Sequence, residues 1–114
     1  RQKVRQWAMD MKFTLVDQTK LVTAASELAR NALEHGKGGH MVIEKVTSSV
    51  KDGLKLVFED TGPGIPDIET ALRDGFTSGG GMGLGLGGSK RLVNDFHIES
   101  ELGKGTRVTV VRWK

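Results

Sequence analysis

The 114 residues contain no cysteine, so disulfides and thiolate metal sites are excluded. No apolar run approaches membrane-spanning length and no signal-peptide pattern opens the chain. Net charge is small, 17 basic against 14 acidic residues, and the basic ones are too scattered for a nucleic-acid footprint. Internal repeats and inter-domain linkers are also missing. These absences leave one expectation: a single domain spanning residues 1–114, cytoplasmic, with no membrane or nucleic-acid partner. Apolar residues at 37% and charged residues at 27% suit a globular chain rather than a disordered one. One component is abundant. There are 16 glycines, and Gly79, Gly80, Gly81, Gly83, Gly85, Gly87 and Gly88 crowd into one short tract.

Helical spacing of Val4, Trp7, Ala8 and Met11 predicts a first helix within residues 3–12. A second runs from Asp17, its expected N-cap, to about His35, and Gly36, Gly38 and Gly39 end it. Leu21, Val22, Ala24, Ala25, Leu28, Ala29, Ala32 and Leu33 fill its apolar arc, opposite Thr23, Arg30 and Glu34. Glu27 and Asn31 lie between, one turn apart at the rim. Such a pair can share a metal ion or polar ligand, or can be an ordinary polar pair on an amphipathic helix.

Strands are expected at 40–47 and 54–60, and at 96–101 and 106–113 around the turn Gly103-Lys104-Gly105. Period two puts Asp60 on the same face as Leu54, Leu56 and Phe58. A carboxylate there is costly unless something hydrogen-bonds it; otherwise the strand frays at Glu59 and Asp60 begins a turn. Thr106 likewise shares the face of Val108 and Val110. Between the strand pairs come the turn TGPGIP, a short helix at Asp67–Asp74, the glycine tract and a helix at Ser89–Asn94.

The tract matches G-x-G-x-x-G at Gly83–Gly88, but no strand precedes it and a hairpin follows, so a dinucleotide fold is rejected. Gly88-Ser89-Lys90 has the wrong order for a Walker loop. A mobile lid whose bare amides wrap phosphates is the remaining ligand-binding reading, against a plain flexible linker.

The rim Glu/Asn pair, an Asp before Gly-x-Gly and a glycine lid entering a helix resemble, in order and spacing, the GHKL ATPase superfamily of gyrase, histidine kinases and MutL. The helix is similar to its N-box, DTGPG to its G1 box and GLGLG to its G2 box. SELARN, EDTGPGIPD, DGFTSGG and KRLVNDF with GKGT look most like the anti-sigma-factor serine kinases, in particular the RsbT-type switch kinases. The resemblance runs from Asp17 onward, although the strand that the family carries before its first helix has no room here.

That resemblance implies an α/β two-layer sandwich, the Bergerat fold. About four strands would form a mixed, mainly antiparallel sheet with helices on one face, and ATP would sit between helix and lid. It implies that Asp60 accepts from the adenine amino group with Thr106 bracing the spot, and that Gly62 and Gly64 let the backbone pass close to the base. Asn31 would ligate Mg²⁺, and Glu27 would be the catalytic base. Amides of Gly79, Gly80, Gly81, Gly83, Leu84 and Gly85 would grip the phosphates. The implied activity is ATP-Mg²⁺-dependent phosphorylation of a serine on a small STAS-type regulator, with a phosphatase or sigma factor as further partners. The alternatives are an anti-sigma factor acting as a nucleotide-dependent binding module, or the ATP-binding domain of a histidine kinase. His35, Lys90, Arg91, Trp7 and Trp113 have ordinary structural readings: dipole contact, solvated face and packing.

Overall fold

A computed structural model describes residues 2–35, 39–65 and 85–114. Helices α1 (Gln2–Asp10) and α2 (Leu15–His35) lead into the hairpin β1 (Gly39–Thr47) and β2 (Asp52–Asp60). Helix α3 (Gly85–Arg91) then precedes the hairpin β3 (Asp95–Glu101) and β4 (Gly105–Trp113). The sheet order is β1-β2-β4-β3, and each of its three pairings is antiparallel. The expected layers are borne out, and the described strands contain no parallel pair.

Register converts the alternation of each strand into rows that cross the sheet. On the inner face Met41, Phe58, Val108 and Ile98 form one row, and Ile43, Leu56, Val110 and Phe96 the next. The central members are buried against Leu21, Ala24, Ala25 and Leu28 of α2, with Val4 and Ala8 of α1 and Leu86 of α3 completing the core. Each fully buried Leu or Phe contributes on the order of 2 kcal/mol from lost apolar surface, which makes this layer the main source of stability. The outer rows mix charged residues with Val42, Val57, Val111 and Trp113, and their members on the central strands β2 and β4 are mostly half-buried.

Sequence spacing misplaces two helix starts. Asp17 is not the N-cap: its N–H donates to Thr14 Oγ1 at 3.1 Å, so Thr14 caps and α2 begins at Leu15. Asp17 instead accepts from Arg112 at 2.6 Å, and Arg112 also donates to the Leu92 carbonyl at 3.0 Å. One guanidinium thereby ties the start of α2 to β4 and to the chain just beyond α3. The second misplacement is α3, which starts at Gly85 inside the glycine tract rather than at Ser89. Buried Leu86 and Ser89 provide its core-facing side, and Val93, just beyond the helix, is buried as well.

Between α1 and α2 the chain reverses through Lys12 at φ 63°. Phe13 N–H donates to the Ala8 carbonyl and Lys12 N–H to the Met9 carbonyl, the paired bonds of a Schellman helix end. Buried Phe13 is delivered to the core by that turn. Exposure also corrects α2: Leu33 is 69% exposed and Ala29 is exposed, whereas Thr23 and Arg30 are half-buried. Its apolar arc is therefore narrower than composition suggests. Asp67–Asp74 and the lid residues Gly79, Gly80, Gly81, Gly83 and Leu84 lie outside the described residues.

Candidate functional site

The site forms at one end of the inner face, where β2 finishes and β4 begins. Gly39, Asp60, Thr106 and Ser100 make the last row of the sheet there. Asp60 and Thr106 are direct cross-strand partners, so their short side chains stand next to each other. Helix α2 crosses above and supplies Leu28, Asn31 and Ala32. Together with Phe58, Gly64, Ile65 and Val108 these residues line a single cavity of about 30 Å³. That volume holds a water or two, so a purine base would enter only if the walls part.

Asp60 is half-buried and faces the cavity, as the alternation requires. It does not wait wholly for a ligand: Oδ1 accepts the Gly62 N–H at 3.0 Å. This is an Asx turn, which orients the carboxylate and starts the loop. Oδ2 has no partner among the described residues. Gly62 therefore acts through its amide, while Gly64 acts through its lack of a side chain. At φ 84° a Cβ on Gly64 would lie 2.6 Å from the Glu101 carbonyl oxygen. Close approach lets the loop dock on the β3–β4 turn, where Gly103 N–H donates to the Pro63 carbonyl at 2.9 Å.

Gly105 matters in the same way. Its φ is 129° and a Cβ would collide with the Asp60 carbonyl oxygen, so β4 can lie against the end of β2 only with glycine there. The Gly103 and Gly105 turn expected from sequence is thus present and contributes to the site.

Asn31 and Glu27 are both half-buried on α2. Asn31 lines the cavity; Glu27, one turn earlier, does not. The Glu27 carboxylate is 17% exposed, and its Oε2 accepts from Arg30 at 3.1 Å. An i,i+3 pair of this kind was readable from spacing, yet Arg30 reads as wet on a helical wheel. No group of three or more His, Cys, Asp or Glu side chains is placed to hold a metal among the described residues. Gly85 is the first residue of α3.

Sequence reading passed over Ser100. It shares the β3 face of Phe96 and Ile98, so the alternation that singled out Thr106 finds it as well. Its hydroxyl accepts the Ile65 N–H at 2.7 Å and lies 2.9 Å from Thr106 Oγ1.

Comparison with known proteins shows the family and the fold. The family described as histidine kinase-, DNA gyrase B- and HSP90-like ATPase matches residues 16–114. The chain is similar to the serine/threonine-protein kinase RsbT of Bacillus subtilis, at 45% identity over 99% of this chain and 85% of that one. An anti-sigma F factor of Clostridium kluyveri is 34% identical over 83% of this chain and 70% of its own length. Among solved structures, the mycobacterial sensor histidine kinase MprB superposes with a TM-score of 0.62. That match has 24% identity and covers 84% of this chain and 71% of the other, a likeness of fold.

Proposed function

The chain belongs to the histidine kinase-, DNA gyrase B- and HSP90-like ATPase family, and from that premise we propose that it is a partner-switch kinase carrying the γ-phosphoryl group of Mg²⁺-ATP to a serine or threonine of a small STAS-type regulator. The observation that carries the nucleotide reading is the juxtaposition of Asp60, Thr106 and Asn31 around one cavity. Asp60 Oδ2 would accept from the adenine amino group, and Thr106 stands beside it to meet the ring. Asn31 would give its side-chain oxygen to Mg²⁺. When bound, the nucleotide supplies an activated phosphoryl group whose transfer depends on alignment and charge neutralisation.

Glu27 would accept the proton of the attacking hydroxyl. Arg30 fixes the direction of its carboxylate through Oε2. The reading is supported by the serine/threonine kinase relative at 45% identity. A second reading is favoured by the anti-sigma F relatives at 34% identity: a module that sequesters a sigma factor, with nucleotide setting the complex. A phosphatase that resets the regulator belongs to the first scheme.

Incubation with labelled ATP and a panel of STAS-domain proteins separates the two. Kinase action predicts label on a serine or threonine of one panel member. Glu27→Ala should lower that transfer by ~10²-fold or more, the scale for loss of a general base, and leave ATP binding within a few-fold. Equal turnover in the variant would remove Glu27 from this role. ATP-dependent binding of a sigma factor without any transfer would favour the sequestering module.

A further inference from the structure

Helix α2 brings a third polar residue to the face that carries Asn31 and Glu27. At about 100° per residue the order around the helix is Asn31, Glu27, Arg30, within an arc of about 100°. All three are half-buried, although the wheel puts Arg30 on the wet side. Arg30 Nη2 donates to Glu27 Oε2 at 3.1 Å, and the two side chains are 32% and 17% exposed. A guanidinium has five N–H donors in a planar fork and is always charged. Among the described residues Arg30 uses one of them, on Glu27. Other cations on this helix layer are placed differently. Arg112 is committed to Asp17 and the Leu92 carbonyl, and Lys20 is exposed two turns before Glu27.

Phosphoryl transfer to a hydroxyl at Glu27 passes close to this fork. A hydroxyl that gives its proton to Glu27 lies about 3 Å from the carboxylate, and the phosphorus it attacks lies about 3–3.5 Å beyond. Arg30 already stands against the same carboxylate. In the transfer Glu27 takes the hydroxyl proton and the hydroxyl oxygen forms the new bond to phosphorus. The bond from phosphorus to the β,γ-bridging oxygen breaks, and its electron pair leaves with ADP. Charge is spread over the three equatorial oxygens of the group in flight. On one side of Glu27 stands Asn31, the residue that would hold Mg²⁺. On the other stands Arg30, a fixed positive charge with donors to give.

We propose that Arg30 is a further catalytic residue of the transfer: it keeps one N–H on Glu27 and gives others to the γ-phosphoryl oxygens, before and during their passage. This is the role of an arginine supplied from within the chain to a transferring phosphoryl group. It goes beyond fixing the direction of Glu27, which Arg30 does without touching ATP. The inference rests on the nucleotide reading of the site and adds to it the cation that the phosphoryl group meets.

ATP and ADP differ only in that group, so the test is the ATP-to-ADP affinity ratio. It is measured by titration with Mg²⁺ for wild type, Arg30→Met, Arg30→Lys, Glu27→Ala and the Glu27→Ala/Arg30→Met pair. Arg30→Met should weaken ATP by about ten-fold or more, the scale of a lost hydrogen bond to a charged group, and ADP by less than about two-fold. Arg30→Lys, which keeps the charge without the fork, should recover part of the ratio. The double variant, compared with Glu27→Ala alone, should show the same fall in ratio, because the contact is to phosphate. Transfer to a STAS-domain protein that wild type labels should drop in Arg30→Met by ~10²-fold or more. A ratio that Arg30→Met leaves unchanged would overturn the proposal. So would a fall that vanishes in the Glu27→Ala background, which would make Arg30 a positioning residue for Glu27 alone. Should Arg30→Met not fold, Arg30→Gln is read in the same way. Wild type that binds neither nucleotide defeats the nucleotide reading itself, whereas wild type that binds both, with a ratio indifferent to Arg30→Met, defeats only the role of Arg30.

Discussion

Asp60 is one carboxylate with two tasks, because Oδ1 shapes the loop through Gly62 and Oδ2 is left for the cavity. Asp60→Asn separates them. An asparagine oxygen can still accept the Gly62 N–H, so the fold without ligand should melt within a few degrees of wild type. ATP affinity should fall by ~10-fold or more with the loss of a charge-assisted bond. Since a ligand that binds only the folded state raises its melting temperature, ATP should shift wild type clearly and the variant little. A variant that melts far lower yet responds normally to ATP would make Asp60 a turn residue alone. Asn31→Ala should weaken nucleotide binding much more in Mg²⁺ than in EDTA, because the lost contact is to the cation; equal losses in the two buffers, read by calorimetry, would count against it. At this scale the sequence was informative wherever alternation applies, as for Asp60 and Thr106. It was silent on Asp60 Oδ1 because that bond depends on the path of the following loop.

Single elements were legible where their faces are cleanly divided. All four strands come within two residues of expectation, and their inner rows are those that period two selects. The start of α2 was missed because Leu15 and Val16, 71% and 62% exposed, put apolar residues on its wet side. The start of α3 was missed because its glycines have low helix propensity and only its buried stripe holds it. Once Thr14 takes the cap, Asp17 becomes a tie between elements. Its carboxyl is held below the usual carboxylate value of 3.8, first by the hydrogen bond from Arg112. A depressed folded pKa means that the unfolded state binds the proton more readily. The tie therefore contributes fully well above pH 3.8 and is lost as pH falls through the lower folded value. Arg112→Met should cost about 1–3 kcal/mol near pH 7, the range for hydrogen bonds to charged groups. Urea unfolding of both proteins across pH should show that gap closing in acid; a gap that stays constant down to pH 2 would mean that Arg112 contributes only packing.

For the molecule as a whole, the two faces of the sheet differ in what they contribute. On the outer face His40, Glu59, Arg107 and Glu99 form a polar row, with Arg107 donating to Glu59 at 3.0 Å. Arg107 is 54% exposed, and exposed pairs contribute ~0–1 kcal/mol. Arg107→Ala should therefore leave the urea midpoint nearly unchanged, and a loss above about 2 kcal/mol would show that the outer row does more than keep the face wet. The sheet order carries a different consequence, which concerns the order of synthesis. The last of the described strands, β4, lies between β2 and β3 and not at an edge. As the chain leaves the ribosome, β1 and β2 can pair early, but Leu54, Leu56 and Phe58 then sit on an open edge until residues 105–113 arrive to cover it. For that interval the nascent chain exposes an unpaired, apolar strand, the kind of edge that recruits other chains. The nine residues of β4 thus close the sheet at its centre, and any ribosome stall before them leaves a product prone to aggregate.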